Sequence, residues 1–171
     1  MIKIKFPLIF LIGFVLSFKV ISQEKRIISK YVSEEIKHFI AVNYPSLQKV
    51  KFYQEKQNDS IFIEAEFHIG KDEISLKFYQ NQWTEKETEL DFEEITEQVK
   101  ANINTFLRIE FKKHKIKECY LVESPKKKNQ YEIYVKGTNN KKSNLYEIYF
   151  DEKGNFIHSE VIETAPIQSL Y

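Results

Sequence analysis

Tyr131-Glu132-Ile133-Tyr134-Val135-Lys136-Gly137 and, a little further on, Tyr146-Glu147-Ile148-Tyr149-Phe150-Asp151-Glu152-Lys153-Gly154 decide the class of fold. In the first stretch Tyr131, Ile133 and Val135 alternate with Glu132, Tyr134 and Lys136. In the second, Tyr146, Ile148 and Phe150 alternate with Glu147 and Tyr149. Successive side chains of a strand point to opposite faces, so a period of two predicts antiparallel strands with one face buried and one towards solvent. The pattern recurs upstream. Ile61, Ile63, Ala65 and Phe67 alternate with Phe62, Glu64, Glu66 and His68, and Ile74, Leu76 and Phe78 with Ser75, Lys77 and Tyr79. Gly70, Gly137 and Gly154 fall between strand-like runs and are expected in tight turns that need a positive φ.

Two stretches carry the helical period instead. Over residues 33–43, Ser33 is placed to cap, Glu34 and Glu35 lie in the positively polarised first turn, and Val32, Ile36, Phe39 and Ile40 form an apolar stripe. Over residues 92–111, Phe92, Ile95, Val99, Ile103 and Phe106 recur at steps of three and four. Glu93, Glu94 and Glu97 crowd the start of that stretch, and Lys112, Lys113 and Lys115 its end, as a helix dipole favours. The halves also align: Glu34-Glu35-Ile36 with Glu93-Glu94-Ile95, and Leu47, Val50 and Phe52 with Ile116, Cys119 and Leu121. The expected fold class is therefore α+β, with two tandem repeats, each one helix followed by a four-stranded antiparallel sheet. The repeats would occupy residues 23–91 and 92–163, joined near residues 89–91, with a loose tail over 164–171.

Residues 1–22 read as a secretory signal peptide: Lys3 and Lys5, an apolar run from Phe6 to Phe18, then short residues up to Ser22. The run is short for a membrane-spanning helix. Cleavage near Ser22/Gln23 predicts a periplasmic or secreted protein with no integral membrane segment. Removing Lys3, Lys5 and Lys19 takes the net charge of the 171-residue chain from +1 to −2. That balance excludes a nucleic-acid binder driven by charge. The single Cys119 cannot form a disulfide within the chain, and its phase marks it as a buried apolar residue.

Residues 32–37 (Val-Ser-Glu-Glu-Ile-Lys) leading to Asn43-Tyr44-Pro45-Ser46, a strand, and then Phe78-Tyr79-Gln80-Asn81-Gln82-Trp83 are similar to a PepSY-like, beta-lactamase-inhibitor-like family of exported bacterial proteins. The second half ends in Phe150-Asp151-Glu152-Lys153-Gly154-Asn155-Phe156-Ile157, close to that family's closing strand–turn–strand. Gln80-Asn81-Gln82 departs from the pattern in lacking the turn glycine. The resemblance implies a tandem α+β fold with helix on one face of each sheet, and it brings no catalytic residues. Relatives of the PepSY type are associated with restraining envelope peptidases, so a protein partner in the cell envelope is what the resemblance suggests.

The catalytic templates are absent: no HExxH, GxxxxGK, GxSxG or GxGxxG occurs. His38, His68, His114 and His158 lie at no metal-ligand spacing from one another or from Cys119. Asp151 to Asn155 is too short and too poor in acids for a calcium loop, and a hairpin turn accounts for it. Asn58-Asp59-Ser60 matches a three-residue glycosylation pattern that a polar hairpin loop also explains. No cofactor, metal or enzymatic activity is expected.

Two features point to binding. If Ile63, Leu76, Phe78, Ile133, Ile148 and Phe150 face the helices, the opposite face carries Tyr53, Phe62, Tyr79, Tyr120, Tyr134 and Tyr149, interleaved with Lys, Glu and Ser. Tyrosine supplies a large contact area at low rotamer cost, so this is a candidate protein-binding face. Cross-strand aromatic pairing that only stabilises the sheet accounts for it equally well. The second feature is the lysine-rich segment over residues 112–128, with Lys112, Lys113, Lys115, Lys117, Lys126, Lys127 and Lys128. It offers the alternative of a small-ligand or envelope-surface binder, using those lysines or a pocket between the repeats, against the plainer reading of solvated charges.

Overall fold

The period-two stretches fold as strands. In the computed structural model, which describes residues 25–57, 59–139 and 142–162, nine strands lie side by side in chain order, all antiparallel. They are β1 (Lys25–Ile27), β2 (Lys51–Gln57), β3 (Ser60–Ile69), β4 (Asp72–Tyr79), β5 (Gln82–Glu89), β6 (Lys113–Ser124), β7 (Lys127–Asn139), β8 (Lys142–Asp151) and β9 (Phe156–Ile162). Helix α1 (Glu34–Asn43) connects β1 to β2, and α2 (Glu97–Glu110) connects β5 to β6. The signal segment, residues 164–171 and Asn58 lie outside the described residues.

The expectation of two repeats, each with its own four-stranded sheet, is overturned by the pairing of β5 with β6. Lys86 stands opposite Glu123, Glu87 opposite Val122, Thr88 opposite Leu121, and Glu89 opposite Tyr120. Separate sheets would leave both strands as bare edges with unpaired amides and carbonyls, and joining them satisfies those groups. Both helices lie on the same face. Following the register, Ile74 of the α1 core stands opposite Thr88, Thr88 opposite Leu121, and Leu121 opposite Tyr131, which packs on the α2 core.

Each helix buries its stripe into its own part of that face. Ser33 Oγ accepts the Ile36 amide at 3.3 Å, which starts α1, and Ile36 and Ile40 then pack with Phe52, Ala65, Leu76 and Phe78. Val99, Ile103 and Leu107 of α2 pack with Cys119, Ile133, Ile148 and Phe150. The second helix begins later than its apolar period suggests: Asp91 accepts the Glu93 amide and closes a 3-10 turn over Phe92–Glu94. Thr96 follows as the N-cap residue, at φ −58° and ψ 145° and with no side-chain cap bond, so the α-helix proper begins at Glu97.

The glycines divide. Gly70 and Gly154 sit in hairpin turns with φ of 63° and 80°. Gly137 is not in a turn: it lies within β7, where a Cβ would come 2.5 Å from the Phe111 ring. Its role is to let that ring close the end of the α2 core. The β4–β5 turn has no glycine, and Gln80 and Asn81 both take positive φ, 49° and 65°.

Candidate functional site

Every strand that gives the helices an apolar row gives the other face the intervening row. Phe62 opposite Tyr79, Tyr134 opposite Glu147, and Glu132 opposite Tyr149 place these side chains together on the helix-free face. Glu55 and Lys77 stand on that face too, and Glu147 opposite Glu160 and Tyr149 opposite His158 extend it to β9. Residues from β2 to β9 line one cavity of about 630 Å³. Laid flat, those eight strands would span about 34 Å. Side chains from both ends meet at one cavity, so the open face is concave.

The predicted aromatic residues do not all reach it. Phe62, Tyr134 and Tyr149 line the cavity; Tyr53, Tyr79 and Tyr120 do not. Phe62 packs on Tyr79 with ring centroids 5.1 Å apart, and Tyr120 meets Tyr134 edge to face at 5.9 Å. Tyr149 stacks on His158 at 4.3 Å. These contacts hold the rings in fixed positions as well as stabilising the strands.

The glutamates are what the sequence reading left out of the site. Seven line the cavity: Glu55, Glu64, Glu85, Glu87, Glu132, Glu147 and Glu160. Only three lysines, Lys77, Lys126 and Lys127, line it with them. Lys77 lies 3.2 Å from Glu55, and Ser75 donates to Glu64. Glu132 and Glu147 are 4% and 6% exposed, which few carboxylates tolerate without a cation. Tyr149 donates its hydroxyl to Glu147. Among the described residues no lysine, arginine or histidine comes within ion-pair distance of Glu132. The signal that could have found Glu64, Glu132 and Glu147 is their phase, which they share with Phe62, Tyr134 and Tyr149 on the same strands.

The electrostatics follow from that crowding. Burial, then the Glu132 charge, pushes Glu87 up to about 8, against the pull of Lys77. Burial also raises Glu132; Glu147 adds to the rise, and hydrogen bonding from Tyr134 and Tyr149 opposes it. The Tyr134 and Tyr149 phenols are held far above their ordinary value, by burial first and then by the Glu132 charge, so both remain hydrogen-bond donors. Burial alone would lower Lys77, yet the surrounding glutamates, Glu55 foremost, leave it raised. The cavity therefore offers acceptors and ring faces to a donor or a cation.

The remaining candidates scatter. Lys112, Lys113, Lys115 and Lys117 lie at or near the start of β6, and Lys126, Lys127 and Lys128 lie at or just after the β6–β7 turn. The strand between them is about 30–40 Å long, so the lysines form two groups and not one patch. His38 is on α1, His68 at the end of β3, 3.9 Å from Glu73, and His114 in β6; only His158 lines the cavity. The Asp151 carboxylate accepts the Lys153 and Asn155 amides and the Asn155 side chain, so its oxygens are taken up by the turn. Cys119 faces α2, and burial pushes its thiol up to about 12. Among the described residues no group of three or more His, Cys, Asp or Glu is arranged to hold a metal. No helix among them is long and apolar enough to cross a membrane.

By sequence, no family model and no curated protein matches the chain. By structure, the fold is BLIP-like. A BLIP-like protein from Bacteroides fragilis superposes with a TM-score of 0.59 at 18% identity, over 78% of this chain and 88% of that one. A DUF2874 family protein from Bacteroides uniformis gives 0.62 at 20% identity, over 77% and 90%. A protein from Bacteroides eggerthii, proposed to be periplasmic, gives 0.64 at 21% identity, over 80% and 94%. Likeness at these identities establishes the fold, and it agrees with the beta-lactamase-inhibitor-like part of the resemblance read from sequence.

Proposed function

We propose that this chain is an exported, non-enzymatic binding protein that modulates an envelope protein, such as a peptidase, through the open face of its sheet. The observation that carries the reading is the cavity. Phe62, Tyr134 and Tyr149 are gathered with seven glutamates around one hollow on the face that neither helix covers. Ring area with little rotamer entropy to lose, beside fixed polar groups, is the composition of a protein-binding surface. The BLIP-like fold and the neighbour proposed to be periplasmic support the inhibitor-type role and the compartment.

Affinity capture from envelope extract tests the reading. The parent protein should retain a specific partner. A Tyr134→Ser, Tyr149→Ser variant, shown by circular dichroism to be folded, should retain at most a tenth as much. Phe62→Ser, which leaves the hydroxyl donors of both buried glutamates in place, should weaken capture in the same direction. Equal retention by parent and variants would make the aromatic face structural.

A further inference from the structure

We infer that the open face receives a cationic side chain, a lysine or arginine of a basic segment on the partner protein, seated between Tyr134 and Tyr149 over Glu132. This rests on the reading above and names the chemistry of the partner. Charge complementarity carries it: seven glutamates face three lysines around the cavity, although the chain as a whole is close to neutral. Glu132 sharpens the point, being 4% exposed, on the cavity wall, and without a cation at ion-pair distance among the described residues. An arriving cation would supply that charge, and the flanking phenol faces would favour it further.

Capture should then be coupled to protons. Glu87 and Glu132 face Glu55 from β2, Glu64 from β3 and Lys77 from β4, with Glu85 beside Glu87 on β5. From the other side come Tyr120 and the rim residues Lys126 and Lys127, then Tyr134, then Glu147 and Tyr149, and finally His158 and Glu160 of β9. Burial first, and then the acidic majority among these charges, holds protons on Glu87 and Glu132 near neutral pH. A guest cation reverses the sign of that field, so the glutamates release protons as it binds.

The test is calorimetric titration of the protein with hexa-arginine at pH 7.5, in phosphate and in Tris, with hexa-citrulline as the neutral isostere. Saturable binding of hexa-arginine alone is expected, with an apparent heat that shifts between the two buffers by the amount a released proton requires. Glu132→Gln, which keeps the shape of the protonated acid, should weaken binding at least tenfold and reduce the buffer dependence. Glu110→Gln, at the exposed end of α2, should change neither. Equal binding of hexa-citrulline, an unaltered Glu132→Gln titration, or binding without buffer dependence would overturn the inference. If envelope capture still depends on Tyr134 and Tyr149 while hexa-arginine fails to bind, the cation falls and the binding face stands. Loss of both results removes both.

Discussion

Glu87 shows how a single residue links the open face to solution conditions. Its carboxyl is raised to about 8 in the folded protein and titrates near 4.3 when unfolded. Below the unfolded value both states hold the proton, and the native state carries no penalty. Between about 4.3 and 8 the unfolded state has lost a proton that the native state keeps, so this residue's contribution to stability declines as pH rises. Glu87→Gln should therefore raise the melting temperature by about 2–4 °C at pH 8 and leave it unchanged at pH 4, as read by thermal circular dichroism. Cys119 gives a second expectation at this scale. It is 2% exposed with its thiol pushed up to about 12, so iodoacetamide should label it only under denaturing conditions. Much at this scale was legible: the alternation at residues 131–135 and 146–150 set which side chains face α2, and the same phase put Tyr134 and Tyr149 opposite. What period two cannot show is burial within a face, so Glu132 and Glu147 read as ordinary solvated charges.

Among the elements, the β4–β5 hairpin is where local sequence and conformation disagree most. Positive φ at both Gln80 and Asn81 is the type I′ geometry that suits strand twist, yet Gln80 has no short side chain to ease it. The double substitution Gln80→Asn, Asn81→Gly should stabilise the protein by about 1 kcal/mol in urea titration, with an unchanged denaturant slope. Gly137→Val should do the reverse, because Phe111 must vacate its place; a loss of about 2–4 kcal/mol is expected. That glycine was misplaced in a turn because a close ring approach leaves no mark on local sequence. The late start of α2 has a similar origin: Ile95 continues the apolar period although the backbone there is extended. Both positions obey a tertiary contact and not a local propensity.

Across the whole molecule, the decisive fact is lateral and could not be read from periodicity, which assigns faces but not neighbours. The pairing of β5 with β6 merges what the aligned halves suggested were two sheets, and it brings Glu55 of β2 and Glu160 of β9 to one cavity. Two apolar clusters remain beneath the helices, with the Lys86–Glu123 ion pair on the strands between them. Because the sheet is shared, unfolding should be a single cooperative event. Trp83, the chain's one tryptophan, packs in the α1 cluster, so its fluorescence reports that side. Ile103→Ala in the α2 cluster, which removes about 2–5 kcal/mol, should shift the Trp83 transition and the far-ultraviolet transition equally. Which side of that sheet meets the partner is tested by capture from envelope extract with two matched surface variants. Phe62→Ser with Tyr149→Ser alters the open face; Val42→Ser with Ile109→Ser alters exposed apolar residues on the helices. If the open face binds, the first pair loses the partner and the second retains it at the parent's level. Retention by the first pair with loss by the second would put binding on the helices instead.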